Sequence, residues 1–145
     1  MVEGEGTVTL RRGYSHHRRY FFITPAVLIY NTSTKLLDFT SKILEKSVLH
    51  PSRKHRNLGI IYVLGRDAVQ LIHRIRPYLA SKGEIADLVI EFSESRNSGL
   101  IERDSRGRYK PRPYTDAEIA LYDRVKQFNL RSGKVGKWPK SPNIH

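Results

Sequence analysis

The spacing of hydrophobic and polar positions changes several times along the chain, and each change marks an element. Residues 7–12 alternate, with Val8 and Leu10 on one face and Thr7, Thr9 and Arg11 on the other, which predicts a half-buried strand. Gly13-Tyr14-Ser15 reads as the turn that follows it. Residues 18–30 are a long β-rich run of Tyr, Phe, Ile and Val, interrupted by Pro25, which implies an edge position or a bulge at that point. An antiparallel ribbon therefore opens the fold. From Ser33 the period is helical, through Leu36, Leu37, Thr40, Ile43 and Leu44, with Ser33 or Thr34 suited to the N-cap. Strand character returns at residues 58–64, after a hairpin that contains Asn57. Asp67 is placed to cap a short helix whose Ala68, Leu71, Ile72 and Ile75 face inward and which Pro77 stops. A further helix over residues 81–96 puts Ile85, Leu88, Val89 and Phe92 on one face.

The pattern then lapses. Residues 97–113 are rich in Gly, Pro, Ser and Arg and read as a mobile basic linker. Thr115 and Glu118 form a T-x-x-E capping box, followed by Ile119, Tyr122 and Val125 at helical spacing, so a last helix is expected within residues 114–131. Residues 132–145 carry no period and read as a flexible basic tail. The organisation expected is one α+β domain over residues 1–96, with the linker, helix and tail appended.

Charge adds a partner to this outline. The 145 residues contain 26 Lys and Arg against 14 Asp and Glu, a formal net charge of +12. It divides as +7 over residues 1–66, −1 over 67–98 and +6 over 99–145, so the excess flanks a nearly neutral helical middle. Such a balance favours a polyanion through counterion release, and nucleic acid is the first expectation. The chain has no Cys, which excludes disulfide frameworks, thiolate zinc sites and Cys nucleophiles. No apolar run approaches the ~18–20 residues that span a bilayer, so a soluble protein without a membrane partner is expected. The compartment stays open.

Against this basic background the first residues stand out. Met1-Val2-Glu3-Gly4-Glu5-Gly6 places two carboxylates and two glycines ahead of the first strand. A carboxylate beside a polyanion-binding surface is unfavourable unless a cation lies between them. Mg²⁺ suits that place, because it is held by one or two carboxylates together with water and phosphate oxygens. On composition alone a solvated terminus is the simpler reading.

Three segments shift that balance. Val2-Glu3-Gly4-Glu5-Gly6-Thr7-Val8 resembles the end of the LAGLIDADG motif in its E-G-E-G form. Pro25-Ala26-Val27-Leu28-Ile29-Tyr30-Asn31-Thr32-Ser33, with Leu36-Leu37, is similar to the family's strand-to-helix passage. Arg76-Pro77-Tyr78-Leu79-Ala80-Ser81-Lys82, with Ala86-Asp87-Leu88, is similar to its later P-(F/Y)-L-x-x-K segment. Together they cover residues 2–96 in the expected order. The chain thus resembles a single-motif LAGLIDADG homing endonuclease, and the resemblance implies the αββαββα fold with the first helix largely missing, since the match begins at Val2. It implies a site-specific double-strand DNA endonuclease, associated with a mobile intron or intein, that uses Mg²⁺ or another divalent cation as a homodimer on a near-palindromic site. By position, the resemblance makes Glu5 the metal-binding carboxylate, Asn31 the group that orders the attacking water, and Lys35 and Lys82 the basic residues of that solvent network. Glu3 is the weaker acid candidate.

Antiparallel ribbons fit the major groove, so DNA-contact candidates are Thr7, Thr9 and Arg11 on the first strand, Arg18 and Tyr20 on the second, and Arg53, His55 and Asn57 on the second ribbon. Arg103, Arg106, Arg108, Lys110 and Arg112 are expected to touch phosphates and to order on binding. The alternative is a non-catalytic nucleic-acid-binding protein of the same fold, a maturase-like factor on RNA or a transcriptional regulator.

Overall fold

Strand β1 (Gly6–Ser15) pairs antiparallel with β2 (Tyr20–Asn31), Gly6 opposite Ile29 and Ser15 opposite Tyr20. In this computed structural model the described residues are 6–45, 47–51, 58–98, 102–108 and 110–130. Helix α1 (Thr34–Ile43) follows, then β3 (Val48–Pro51), β4 (Gly59–Leu64), α2 (Gly65–Ile75), a 3₁₀ turn (Arg76–Tyr78), α3 (Gly83–Asn97) and α4 (Asp116–Asn129). The four strands form one antiparallel sheet in the order β1-β2-β4-β3. The described chain thus runs ββαββα and then adds α3 and α4, as the α+β expectation requires. The segment where the first helix of αββαββα would end, residues 1–5, lies outside the described residues.

Alternation along the strands separates two faces. Val8 and Leu10 of β1, Ile23, Val27 and Ile29 of β2, and Ile61 and Val63 of β4 all join one buried cluster with Leu37, Ala68, Ile72, Ile85, Leu88, Val89, Phe92, Leu121 and Val125 from the four helices. Every strand residue in that cluster shares one face by register, so the helices cover that face. The opposite face carries Thr7, Thr9, Arg11 and Ser15 of β1, Tyr20, Phe22, Thr24, Ala26, Leu28 and Tyr30 of β2, and Ile60, Tyr62 and Leu64 of β4.

Several boundaries differ from the pattern's expectation for physical reasons. Gly13-Tyr14-Ser15 is strand rather than turn, and the reversal falls on His16, His17, Arg18 and Arg19, with Arg19 in the left-handed region at φ 54°. Pro25 sits in a central strand, yet β4 pairs with β2 only from Ala26, opposite Leu64. The N–H of Ile23 leaves the ladder to donate to the Tyr114 hydroxyl at 2.7 Å. Pro25 is two residues on and has the same orientation, so its missing N–H falls where no strand pairs. Helix α2 begins at Gly65 with Leu64 as its N-cap, so Asp67 lies within the first turn rather than at the cap. Gly65 adopts φ 64° at the strand-to-helix corner, a conformation that costs an L-residue about 1–2 kcal/mol. Gly65→Ala is accordingly expected to lower the unfolding free energy by about 1 kcal/mol in urea denaturation, and an unchanged midpoint would contradict that.

The segment expected to be a mobile linker contains ordered structure. Residues 102–108 and Lys110 close a hairpin turn through Lys110 N–H to Glu102 O, Asp104 N–H to Arg108 O and Gly107 N–H to Asp104 O, each 2.9 Å. Asp104 organises it: Oδ1 accepts from the backbone N–H of Arg106 and of Arg108, and Oδ2 from Arg108 Nε. The capping box at α4 is present as expected, with Thr115 Oγ1 accepting from Glu118 N–H and Glu118 Oε2 from Thr115 N–H. Among the described residues no helix is long and apolar enough to cross a membrane.

Candidate nucleic-acid interface

The face of the sheet opposite the core cluster, which α4 reaches only at the β1 edge among the described residues, is the natural place for a large partner. Arg11 is exposed there, its guanidinium carbon 5.0 Å from the centre of the Tyr62 ring one strand beyond its neighbour, a cation–π contact that holds a charge above the sheet. Thr7 hydrogen-bonds Tyr30 across the same face; burial pushes the Tyr30 phenol up from its ordinary value, and Thr7 only partly offsets it. Tyr30 therefore remains a neutral hydroxyl at physiological pH.

Thr9 does not lie open as the alternation suggests. It is 6% exposed, because α4 packs along the outer edge of β1: Lys126 Nζ donates to Thr9 Oγ1 at 3.5 Å and Asn129 Nδ2 to Val8 O at 3.0 Å. The alternation identified the correct strand face, but the covering helix lies more than a hundred residues away in sequence. Lys126 is held below its ordinary pKa, first by burial and then by the charges of Arg11 and Arg12. Arg18 is exposed in the β1–β2 turn, and Tyr20 is half-buried at the tip of the ribbon with its ring edge-on to Phe22, centres 6.4 Å apart. Arg53, His55 and Asn57 lie outside the described residues.

The candidate chemistry gathers at the other end of the sheet. Lys82, the residue before α3, donates from Nζ to the carbonyl of Gly6 at 2.5 Å. That contact joins positions 76 residues apart and brings the ammonium to the residue that follows Glu5. Asn31 ends β2 two residues beyond the partner of Gly6, so it shares this end of the sheet. Its Oδ1 accepts from Ser33 N–H at 2.7 Å, and Ser33 Oγ in turn accepts from Leu36 N–H to cap α1. Lys35 is exposed in the first turn of that helix. Lys82 thus reaches the start of β1, Asn31 ends the neighbouring strand and Lys35 follows in the first turn of α1, while Glu5 lies outside the described residues.

A second polar cluster escaped the sequence reading. Glu118 is fully buried, and its carboxylate accepts four donors. Oε1 takes Ser95 Oγ and Arg112 Nη2, both at 2.8 Å, and Oε2 takes Arg96 Nη1 at 3.1 Å and Thr115 N–H at 3.0 Å. Arg96 also donates to the carbonyls of Pro113 and Arg112, and its guanidinium lies 4.3 Å from the centre of the Tyr114 ring. Arg112 is therefore spent inside the protein rather than offered to phosphate, contrary to the expectation for the basic linker. The available signal was that Glu118, Leu121 and Val125 share one helical stripe, which places a carboxylate where an apolar residue is usual. Its partners on α3 leave no local trace.

No family model matches the chain, and no curated protein matches it. Solved structures do. The chain is similar to the homing endonuclease I-CvuI, solved with the I-CreI target DNA in 2 mM Mg and with that DNA uncleaved, at TM-score 0.68 and 14% identity over 92% of this chain and 80% of that one. It is similar to the archaeal intron-encoded homing endonuclease I-Vdi141I complexed with DNA, at TM-score 0.69 and 13% identity over 94% and 84%. The LAGLIDADG homing endonuclease I-GzeII in complex with its DNA target aligns at TM-score 0.55 and 10% identity over 90% of this chain and 41% of that one. Identities this low speak to architecture, and the architecture they share with this chain is the LAGLIDADG homing-endonuclease fold.

Proposed function

We propose that the chain is a site-specific double-strand DNA endonuclease of the intron- or intein-associated kind, hydrolysing phosphodiester bonds with a divalent metal and acting as a homodimer on a near-palindromic site. The observation that carries this reading is the Lys82 ammonium on the Gly6 carbonyl, which sets a positive charge beside the residue that follows Glu5. The DNA-bound structural relatives support the choice of partner. A single four-stranded sheet matches one half-site, which supports two copies on a two-fold DNA site.

Among the described residues no three His, Asp or Glu gather to hold a metal. At the candidate end the described oxygens already accept hydrogen bonds, Gly6 O from Lys82 and Asn31 Oδ1 from Ser33. Such a donor set does not make an all-protein cage. It fits a cation held by one carboxylate and completed by water and DNA phosphate oxygens, the usual arrangement for Mg²⁺, and Glu5 is the carboxylate for it. The cation would polarise the scissile phosphate and lower the proton affinity of the attacking water. Lys82 adds fixed positive charge where negative charge develops, and needs no reorganisation because Gly6 O already holds it. Asn31 offers an amide at the same end, held by Ser33 N–H, and Lys35 an exposed cation in the first turn of α1.

The test is metal-dependent cutting of a duplex library. Within it, Lys82→Gln is expected to slow single-turnover cleavage by about 10²-fold, with affinity for the target changed only a few-fold. Equal loss of affinity and cutting would reduce Lys82 to a binding residue.

A further inference from the structure

We propose that the hairpin of residues 102–108 with Lys110 and the β1–β2 turn together form a cationic groove that holds the sugar–phosphate backbone of duplex DNA beyond the four-stranded part of the sheet. The inference rests on the DNA-binding reading given above and adds to Arg18 and Tyr20 of the first ribbon a second wall, built by the hairpin. Pairing of β4 with β2 ends at Ala26 opposite Leu64, so the stretch of β2 from Tyr20 to Pro25 has no strand on that side. Tyr114 takes its place there through the bond from Ile23 N–H. The chain leading to Tyr114 is thereby carried alongside the tip of the ribbon, and a cleft of about 420 Å³ lies between them. His17, Arg18 and Tyr20 line it from the ribbon, and Asp104, Arg108 and Lys110 from the hairpin.

The one acid in the groove is already used. The Asp104 carboxylate accepts three donors and is held below the usual carboxylate range, chiefly by the backbone N–H of Arg108. It fixes Arg108 through Nε at 2.8 Å, while the Nη pair donates to no group among the described residues and is the edge left for a second oxyanion. Lys110 lies 3.4 Å from Glu102, both more than half exposed; such a pair is weak enough to exchange for a phosphate. Arg18 and His17 are exposed on the facing wall. The groove therefore presents several cations to one neutralised carboxylate, the balance that suits a polyanion. Its lining holds one aromatic residue, Tyr20, half-buried and packed against Phe22, whereas unstacked bases are held by aromatic rings in series, so a paired backbone fits better. Continuity with a ribbon that suits the B-form major groove favours DNA over A-form RNA, whose major groove is too narrow for it.

The test needs no knowledge of the target, because phosphate contacts are independent of sequence. Affinity of the full chain for a random-sequence DNA duplex is measured by fluorescence anisotropy across a salt series. The double variant Arg108→Gln/Lys110→Gln is compared with Lys42→Gln/Arg74→Gln, which removes the same charge from exposed positions on α1 and α2. The slope of log affinity against log salt is expected to fall by about two in the hairpin variant, at ~0.9 per phosphate lost, and by much less in the control. Arg108→Lys/Lys110→Arg, which keeps both charges, is expected to restore the slope. Equal changes in hairpin variant and control, or an unchanged slope in the hairpin variant, would overturn the groove while leaving DNA binding in place. A loss seen with an RNA duplex and not with DNA would overturn it too. A flat salt dependence of the unaltered chain would instead remove the DNA-binding reading itself, before any variant is compared.

Discussion

Glu118→Gln is expected to lower the unfolding free energy by about 3 kcal/mol in urea denaturation. The carboxylate is fully buried and neutralises Arg96 and Arg112, whose side chains are 18% and 29% exposed. Removing its charge leaves two partly desolvated guanidinium groups without a counterion, which is far costlier than losing a surface pair. The amide oxygen can still accept from Thr115 N–H, but the amide NH₂ replaces an oxygen that takes two donors, so the loss combines charge with hydrogen bonding. Three parts of the structure depend on this cluster: the start of α4, the segment from Arg112 to Tyr114, and through them the clasp of Lys126 and Asn129 on β1.

The cluster also fixes the sign of a pH dependence. Burial alone would raise the Glu118 pKa, but hydrogen bonds from Thr115 N–H and Ser95 and the charge of Arg96 outweigh it and hold the group below its ordinary value. A carboxylate depressed in the folded state stabilises at pH above its unfolded value and loses that contribution as pH falls through its folded value. Stability of the unaltered chain should therefore decline in acid and converge on that of Glu118→Gln. A difference that stayed constant down to strongly acidic pH would show that the carboxylate is not ionised in the fold.

The second large effect concerns chemistry rather than stability. Glu5→Gln is expected to reduce cleavage by about 10³-fold or more, while affinity for the same duplex stays within a few-fold. The substitution keeps the size of the side chain and removes the charge that would hold the cation. It also removes one negative charge from a chain proposed to bind a polyanion, so binding in the absence of metal should tighten slightly if it changes at all. Joint loss of binding and cutting would make Glu5 a structural residue of the β1 approach.

The order of β1, β2, β4 and the four helices was legible because each carries its own period, whereas the four residues of β3 are too few to show one. Val8 and Leu10, Ile85 through Phe92, and the Thr115–Glu118 box needed only neighbours within a few residues. What local pattern could not reveal were contacts closed across the chain. Thr9 alternates as an exposed residue, yet is covered by Lys126; Pro25 reads as an edge residue, and its lack of a partner depends on where β4 stops. The basic segment with Asp104 looked mobile because a hairpin held by one carboxylate leaves no period. At the candidate site, Asn31, Lys35 and Lys82 came from resemblance rather than pattern. Only the fold shows that Lys82 reaches Gly6, a contact for which spacing along the chain has no signature.

Incubating the full chain with a library of randomised DNA duplexes in Mg²⁺, and in parallel with a chelator, then sequencing the ends produced separates an endonuclease from a binding protein. Double-strand ends that map to one near-palindromic sequence and disappear when the metal is removed are expected. Duplexes that are selectively retained by the protein yet remain intact in Mg²⁺ would contradict the endonuclease reading, and would leave a DNA-binding protein that borrows the endonuclease fold without its chemistry.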